Sequence, residues 1–559
     1  MARSNATARK KKRVSSETQP PSEIAKVAKK KSRKRRSSLK KVEDSDTTGT
    51  AKNVDKISEA APTSPPSSPK RKTRRKKQRS QSPVKLVQQG KFEISQCGMV
   101  EEDSTVVAQK TLEQIVETNY QEFLGEYYER KVVHVARKNP AFFTELFNTE
   151  ILSKAFSEHS LRYGRHVNVA RTEGGVKTVA PLEGLATALE IQQFLKDGWS
   201  LQLVNPQLYA ANLRLVCSDL QELFCSFVGA NVYVTPAQSQ GFAAHWDDID
   251  AFVCQCEGRK RWRVYEPTEE AQTLPIQASY DLLGRDLTAA ECAERRAAFE
   301  GVLEAGDTLY IPRGFAHEAQ TVGDAASVHV TISSNRNNTL LQMARRVSTA
   351  IFDAPAEFAT DSRRALPPDA LSVAGANYGD DHSPPSSPSS EAGRRAALRL
   401  RYERVWKEAK TRALDCFDAA LDMAAEEFFR TAARPVLRED ERQLSVFKRV
   451  DGLTAASPAD VATTLDSSVK FARRHGQRLV QSAGGGSMLL YRTLNGEEYD
   501  DSRTEARSLD LEDSMVDGVS TLLRNYPRFT AVRDLACADD EDKIELANLL
   551  FSRGVVLLK

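Results

Sequence analysis

The chain has few of the features that mark secreted or membrane proteins. Its 559 residues include eight cysteines, none of them in a CxxC pair, and no apolar run long enough to span a membrane. A disulfide framework is therefore not indicated, and a reduced intracellular compartment is the better expectation. The N-terminus lacks the apolar core of a signal peptide, so we expect neither secretion nor a membrane partner.

Acidic residues are scarce in the first part of the chain. Residues 1–90 contain 27 Lys and Arg but 7 Asp and Glu, about +20, whereas the whole chain carries +4, which leaves about −16 for the remainder. The same segment has few apolar residues and many Ser, Pro and Lys. It cannot bury enough surface to offset its chain entropy, so residues 1–105 are predicted to form a disordered basic tail.

Two basic clusters lie in this tail, Lys29–Arg36 and Lys70–Arg79. Such runs are typical of nuclear import signals and of nucleic-acid contacts, and we predict localisation in the nucleus, in its nucleolus. No aromatic residue stands between the basic ones, so nucleic-acid binding would be non-specific and mostly to phosphate. Ser-Pro pairs at Ser64, Ser68 and Ser82 are candidate phosphorylation sites that would weaken the positive field. The alternative is a solvated tail without a partner.

Two histidines and an aspartate stand in a pattern typical of iron sites. His245 and Asp247 are two residues apart beside an apolar run with strand character, and side chains i and i+2 of a strand share a face. A second stretch, Gly306–His317, combines a turn, a predicted strand at Thr308–Ile311 and a Pro/Gly bend before His317. Together they supply the 2-His-1-carboxylate ligand set of non-haem Fe(II) oxygenases. The alternative is two ordinary strands with surface histidines.

The middle of the chain is predicted to be rich in strands. Further strands are predicted at 131–137, 200–204, 230–235, 251–256, 260–265 and 327–333, with helices at 111–124, 142–156 and 213–227. Several strands separated by Gly and Pro turns favour a closed or sandwich β fold. His134 and His329, which have apolar neighbours and no partner motif, are interpreted as structural.

After residue 338 the pattern becomes helical. Helices are predicted at 340–352 and 398–431, and the Ser/Pro-rich residues 367–394 between them are predicted to be a mobile linker. The second helix has an apolar face that needs a partner to pack on, and a second copy of the chain is a reasonable candidate. From 446 onward, two helices and a hairpin at a Gly-Gly-Gly turn fit a winged-helix module. Its acidic run, Asp539–Asp542, argues against tight DNA binding at that end.

The motifs resemble those of known proteins. Gly306–His317 matches the second cupin motif at every position, and the His-x-Asp…His combination resembles the JmjC oxygenases within the cupins. From residue 111 to the C-terminus the chain resembles the JmjC ribosomal oxygenases of the nucleolar type, described as bifunctional lysine demethylase and histidyl hydroxylase. The stretches that carry this resemblance are 231–236, 239–253, 257–265, 311–317, 509–513 and 542–547.

The resemblance implies an α+β fold: a double-stranded β-helix (cupin/JmjC) barrel, a helical dimerisation region and a C-terminal winged-helix domain after the tail. We expect a part packing on the barrel at 106–199, the catalytic barrel at 200–340, the dimerisation region at 341–435 and the winged helix at 436–559. The homodimer is an expectation of the same resemblance.

The resemblance also implies Fe(II), with 2-oxoglutarate and O2 as cosubstrates. His245, Asp247 and His317 would be the catalytic metal ligands. In the predicted strand 260–265, Lys260 shares the more apolar face with Trp262. An inward lysine is costly unless its charge is paired, and the distal carboxylate of 2-oxoglutarate would pair it.

Asn231 and Tyr233 share one face of their strand and would add hydrogen bonds to 2-oxoglutarate. The implied substrates are a histidine of a large-subunit ribosomal protein and methylated lysines of histone H3, with the chromatin and transcription-repressor roles that follow from the latter. Two departures from the family pattern, Trp246 for Tyr and Ala244 for Pro, flank the expected ligands and so concern the fit of the substrate.

Two other functions fit a cupin. One is a catalytically inactive metal-binding scaffold for chromatin or ribosome assembly, and the other is a zinc or manganese cupin with isomerase-like chemistry. The intact ligand set together with Lys260 argues against the scaffold.

Overall fold

The computed structural model describes residues 84–87, 90–94, 100–334, 338–368, 370–373, 387–450, 453–454, 463–481, 486–492 and 507–559. The basic clusters, the Ser-Pro sites and the middle of the predicted linker lie outside the described residues. Within the described part, no helix is both long enough and apolar enough to cross a membrane.

Between residues 84 and 334, the described part of the chain contains twelve strands and seven α-helices. The strands are β1 Val84–Val87, β2 Val133–Arg137, β3 Val167–Glu173, β4 Val176–Val179, β5 Ser200–Val204, β6 Gly229–Thr235, β7 Asp250–Glu257, β8 Lys260–Tyr265, β9 Ala297–Leu303, β10 Thr308–Ile311, β11 Ala316–Thr321 and β12 Ser327–Ser334. The helices are α1 Ser104–Val116, α2 Tyr120–Glu122, α3 Thr149–Glu158, α4 Ala188–Lys196, α5 Ala211–Phe224, α6 Ser279–Leu283 and α7 Ala289–Ala293. A single π-helical turn, Phe123–Tyr127, follows α2.

These strands form the two sheets of a double-stranded β-helix, which confirms the predicted fold class. The large sheet has the order β1-β2-β10-β7-β12-β6-β5-β3-β4, and the small sheet has the order β11-β8-β9. All pairs are antiparallel except β1 with β2. The inner faces of β6, β7, β10 and β12 meet those of β8 and β11, and this arrangement encloses a cavity.

Two expectations for the N-terminal part were wrong. Residues before 105 are not all outside the fold, because β1 pairs with β2 and Phe92 is only 1% exposed, packed on Phe142 and Phe143. Full burial of a phenylalanine contributes roughly 2 kcal/mol, which offsets part of the conformational entropy lost when the segment is ordered. The helix predicted at 142–156 begins only at Thr149, where the Asn148 side chain accepts a hydrogen bond from the Ile151 amide at 2.8 Å.

The helical region after the barrel packs as three long helices. These are α8 Leu340–Asp353, α10 Glu391–Asp415 and α11 Phe417–Thr431, with the short α9 Ala370–Val373 before α10. The single helix predicted at 398–431 is wrong: the chain bends at Cys416. The backbone of Cys416 leaves helical geometry at φ −93° and ψ 22°, and Ala409 of α10 and Ala420 of α11 both join the apolar cluster of α8.

The C-terminal unit is an α+β winged helix, as expected. Its helices are α12 Glu439–Gln443, α13 Asp513–Asn525 and α14 Asp540–Ser552. Its strands are β13 Arg449–Val450, β14 Leu453–Thr454, β15 Ser468–Phe471, β16 Gln477–Gln481, β17 Ser487–Tyr491, β18 Arg507–Leu511, β19 Thr530–Ala531 and β20 Val556–Leu558. The predicted hairpin is β16 paired with β17, and β18 extends it.

Buried ion pairs join this unit to α5. Arg438 donates two hydrogen bonds to Asp219, at 3.0 and 2.8 Å, and Arg492 donates one to Glu222 at 3.0 Å. The side chains of Arg492 and Glu222 are 1% and 2% exposed. Removing one partner of such a pair would leave an uncompensated buried charge, so the winged helix is held firmly against the barrel.

Candidate active site

The three predicted metal ligands lie together at one end of the barrel cavity. Nε2 of His245 is 3.8 Å from Oδ1 of Asp247, and Nε2 of His317 is 3.7 Å from Oδ2 of Asp247. Among the described residues this is the one group of three or more His, Cys, Asp or Glu side chains close enough to share an ion. The predicted strand around His245 is reduced to a single bridge, in which His245 and His317 exchange backbone hydrogen bonds of 3.2 and 2.8 Å.

Backbone carbonyls orient both imidazoles. Nδ1 of His245 is 2.8 Å from the carbonyl oxygen of Ala243, and Nδ1 of His317 is 3.1 Å from that of Phe315. A carbonyl only accepts, so each Nδ1 carries the proton and each Nε2 keeps its lone pair for a ligand. Burial, followed by the charge of His245, lowers the pKa of His317 to about 4, so this ring is neutral at physiological pH. The donor set therefore fits a divalent metal ion.

The opposite end of the cavity holds a buried lysine. Lys260 is 4% exposed, and its Nζ donates to Oγ1 of Thr235 at 2.9 Å. Burial lowers the pKa of Lys260 to about 7, and no carboxylate among the described residues forms an ion pair with it. The inward face of β8 is confirmed, because Lys260, Trp262 and Val264 are buried while Arg261 and Arg263 are exposed. A bound carboxylate would supply the missing partner.

Of the other two residues predicted to contact 2-oxoglutarate, one lines the cavity and one does not. Tyr233 lines it, and its hydroxyl accepts a hydrogen bond from Nε2 of Gln202 at 3.1 Å. Burial, and then the charge of Asp247, raises the pKa of Tyr233, so the hydroxyl stays protonated. Asn231 is not among the lining residues, and its side chain hydrogen-bonds to Tyr233 instead. Its contact with the cavity is therefore indirect.

Sequence reasoning missed part of the cavity wall. His329, interpreted as structural, lines the cavity: it stacks on Tyr233 with centroids 4.9 Å apart and an interplanar angle of 11°. Its Nδ1 has no hydrogen-bond partner among the described residues. Thr331, two residues on, lines the same wall. No signal within one segment identifies it, because His329 reaches the wall through the β12–β6 register, which sets it opposite Tyr233.

The cavity volume is about 520 Å³, counting the part open to solvent. That is enough for a small dicarboxylate beside a substrate side chain. The departure at Trp246 does not alter this space: the indole is 1% exposed and packs in a separate cluster with Ala244, Tyr265 and Leu287. Trp246 alternates away from its two ligand neighbours, so the two departures affect support of the site rather than its lining.

The comparisons with known proteins agree with this architecture. Residues 202–341 match the JmjC domain family, and residues 434–559 match the C-terminal winged helix domain of ribosomal oxygenase 1. Ribosomal oxygenase 1 of Gallus gallus is 34% identical over 441 residues, which cover 78% of this chain and 70% of the relative. The chain belongs to the ribosomal oxygenase family. It thereby joins the JmjC oxygenases, and the expected resemblance is confirmed.

Other relatives carry a second description. The Brugia malayi protein named bifunctional lysine-specific demethylase and histidyl-hydroxylase NO66 is 34% identical over 436 residues, 78% of this chain and 59% of the relative. The chain thus spans less than two thirds of that relative's length. Among solved structures, the ribosomal oxygenase YcfD of Escherichia coli in complex with cobalt and 2-oxoglutarate aligns over 79% of this chain and 99% of that one, with 14% identity and a TM-score of 0.41.

Proposed function

We propose that the chain is an Fe(II)- and 2-oxoglutarate-dependent protein oxygenase. The observation that carries the proposal is the pairing, in one cavity, of a His-Asp-His ligand set with a buried lysine that has no carboxylate partner among the described residues. A facial triad leaves coordination positions open for a cosubstrate and O2. When bound, iron supplies the oxidant, formed from O2 as 2-oxoglutarate is decarboxylated to succinate.

The residues of the chain position this chemistry. His245, Asp247 and His317 would hold the iron, with both imidazoles fixed through Nδ1. Lys260 would pair with the distal carboxylate of 2-oxoglutarate, and the Tyr233 hydroxyl could donate to it. The apolar and aromatic side chains of the cavity wall lower the local dielectric constant and so strengthen these charge interactions. No side chain is needed as a general base, because a C–H hydrogen is removed by the oxidant.

The proposed substrates are a histidine of a large-subunit ribosomal protein and methylated lysines of histone H3. Hydroxylation of a histidine carbon gives a stable alcohol, whereas hydroxylation of an N-methyl group gives a hemiaminal that loses formaldehyde. One site can therefore perform both reactions. Mass spectrometry of a histidine peptide and a methyl-lysine peptide separates them, because the first gains an oxygen atom and the second loses a methyl group.

An anaerobic absorption spectrum tests the proposal against its alternatives. Addition of Fe(II) and then 2-oxoglutarate should produce a metal-to-ligand charge-transfer band that depends on both. An isomerase-like zinc or manganese cupin has no reason to bind 2-oxoglutarate and would show no band. A scaffold could bind both ligands and show the band, but it would form no succinate after O2 is admitted. Absence of the band in protein shown to bind Fe(II) would contradict the oxygenase.

The same proposal includes a homodimer and a nuclear, nucleolar location. The dimer is supported by large apolar side chains left exposed on α10 and α11: Leu400, Trp406, Leu414, Phe417 and Leu421. The location is supported by the two basic clusters of the tail, which would also permit non-specific contact with nucleic acid. Chromatin and transcription-repressor roles depend on demethylation of histone H3 and are tested with that reaction.

A further inference from the structure

A cysteine and a histidine meet where α5 contacts the winged helix. Cys225 caps the C-terminus of α5 and its thiol is exposed. His475 lies in the turn between β15 and β16, and its Nδ1 is 3.4 Å from Sγ of Cys225. The two residues are 250 positions apart in the sequence. This pair belongs neither to the barrel cavity nor to its proposed chemistry.

The imidazole of His475 is fixed from two directions. Its Nδ1 is 2.7 Å from the carbonyl oxygen of Glu222, and its backbone N–H donates to Oε1 of Glu222 at 2.6 Å. Because that carbonyl can only accept, Nδ1 carries a proton, and the thiol sulfur can accept from the same N–H. The Glu222 carboxylate is itself held by Ser104 and Arg492. Turning the ring away from the sulfur would break the Nδ1 bond to the Glu222 carbonyl, while the backbone bond to the Glu222 carboxylate holds the residue in place.

The charges around the pair favour an imidazolium. Burial alone would lower the pKa of His475, but the hydrogen bond and charge of Cys225 and the Glu222 carboxylate outweigh it and raise that pKa to about 9. The other ionisable groups that interact electrostatically with Cys225 are Tyr120 and Arg492. Burial, and then the charge of Cys225, raises the pKa of Tyr120, so its hydroxyl stays neutral. His475 is the cationic group within hydrogen-bond distance of the sulfur.

We propose that Cys225 is a modification site, a thiolate stabilised by His475 that hydroperoxides oxidise to a sulfenic acid. The thiolate sulfur attacks one oxygen of the hydroperoxide, an S–O bond forms and the O–O bond breaks. With hydrogen peroxide, the departing hydroxide takes the Nε2 proton of the imidazolium, directly or through solvent, which yields water, a neutral imidazole that keeps its Nδ1–H on the Glu222 carbonyl, and Cys225 sulfenic acid. Sulfur loses two electrons and the peroxide gains them. A thiolate, not a thiol, is the nucleophile in this step.

The chain contains its own control. Cys416, at the bend between α10 and α11, is the other thiol exposed among the described residues, and no described histidine hydrogen-bonds to it. The remaining described cysteines are buried or partly buried. Reactivity that follows exposure alone would be equal at the two sites in protein kept monomeric by charged residues at Trp406, Phe417 and Leu421, because the dimer proposed above would cover Cys416. Reactivity that follows the imidazolium would be confined to Cys225.

The test is alkylation of the full-length folded chain by limiting iodoacetamide from pH 5.5 to 9, with peptides quantified by mass spectrometry. Near pH 6 we expect Cys225 to react faster than Cys416 by on the order of tenfold, because the imidazolium 3.4 Å from its sulfur stabilises the reactive thiolate, although that thiolate is a weaker nucleophile. The Cys225 rate should be nearly flat across neutral pH, whereas the Cys416 rate should climb with pH as for an ordinary thiol. Identical profiles for the two sites would overturn the proposal.

Two variants sharpen the result. His475→Gln should give Cys225 the pH profile of Cys416, and Cys416→Ser should leave the Cys225 profile unchanged. If His475→Gln does not fold, the wild-type comparison of the two profiles still decides. Dimedone trapping after hydrogen peroxide should label Cys225 and not Cys416 in wild-type protein. Equal trapping at both sites, or an unchanged Cys225 rate in folded His475→Gln, would show that the imidazolium does not activate the thiol.

Discussion

Lys260→Met removes an ammonium group from the cavity wall while keeping most of the side-chain volume. In the wild-type protein the ammonium has one hydrogen bond, to Thr235, and no carboxylate partner among the described residues. If 2-oxoglutarate supplies that partner, the substitution breaks a buried ion pair in the complex. Such a loss costs about 3–5 kcal/mol, which weakens binding roughly 150- to 5000-fold.

Calorimetric titration of 2-oxoglutarate into anaerobic protein loaded with Fe(II) measures this loss directly. Lys260→Ala should behave like Lys260→Met and, in turnover, raise the 2-oxoglutarate KM strongly. Affinity for Fe(II) should hardly change, because Lys260 touches no metal ligand. Arg261→Ala is the matched control: this exposed neighbour on β8 points away from the cavity and should leave both affinities unchanged.

In the protein without ligands, the same substitution should increase the free energy of unfolding. The fall in the pKa of Lys260 from 10.5 to about 7 corresponds to a cost on the order of 4 kcal/mol at neutral pH. The unfolded chain binds more protons than the native state between these two values, so this contribution makes wild-type stability rise with pH from about 7 towards 10. Lys260→Met should therefore be more stable than wild type near pH 7, and the difference should shrink at higher pH.

Denaturant unfolding without ligands, at pH 7 and pH 9, measures that difference. Wild-type 2-oxoglutarate affinity in Lys260→Met would refute the placement of the cosubstrate. Loss of stability in the same variant would refute the reading of Lys260 as an unpaired cation whose cost is met only by a ligand. Together the two measurements separate a binding lysine from a structural one.

Four further outcomes are expected. Alanine at any one of the three metal-site positions, His245, Asp247 or His317, should abolish succinate formation and lower the amount of bound Fe(II), while the circular dichroism spectrum stays unchanged. Full turnover in such a variant would remove that residue from the site. Charged residues at three exposed positions of α10 and α11, Trp406, Phe417 and Leu421, should give monomers in light scattering. A wild-type protein that is already monomeric at micromolar concentration would contradict the dimer. Deletion of residues 1–80, which spares β1, should move the protein to the cytoplasm and leave its activity on a peptide substrate intact. If the truncated protein still accumulates in nucleoli, the targeting signal lies elsewhere in the chain. Glu222→Ala should lower unfolding free energy by about 3–5 kcal/mol, because Arg492 loses its buried partner, and a change below about 1 kcal/mol would contradict that pairing.

Several parts of the fold followed from local pattern. The strands at 200–204, 260–265 and 308–311 were predicted at the bounds that the structure has. The inward position of Lys260 followed from period two along β8, since alternate side chains of a strand must face opposite sides. The His-x-Asp spacing and the Pro-x-Gly bend before His317 likewise encode the ligand set within short segments. Each of these signals lies inside one element, where covalent geometry alone relates the residues.

Other features depend on which elements come to lie together. The interruption at Cys416 has no glycine or proline to announce it, and it lies between two helices that each pack on α8, through Ala409 and Ala420. His329 joins the cavity wall only because β12 pairs with β6 in a register that sets it opposite Tyr233. The pairing of Cys225 with His475 requires the winged helix to be seated on α5. Such contacts span tens to hundreds of residues, and they are determined by how apolar faces and buried ion pairs fit together, which no local pattern specifies.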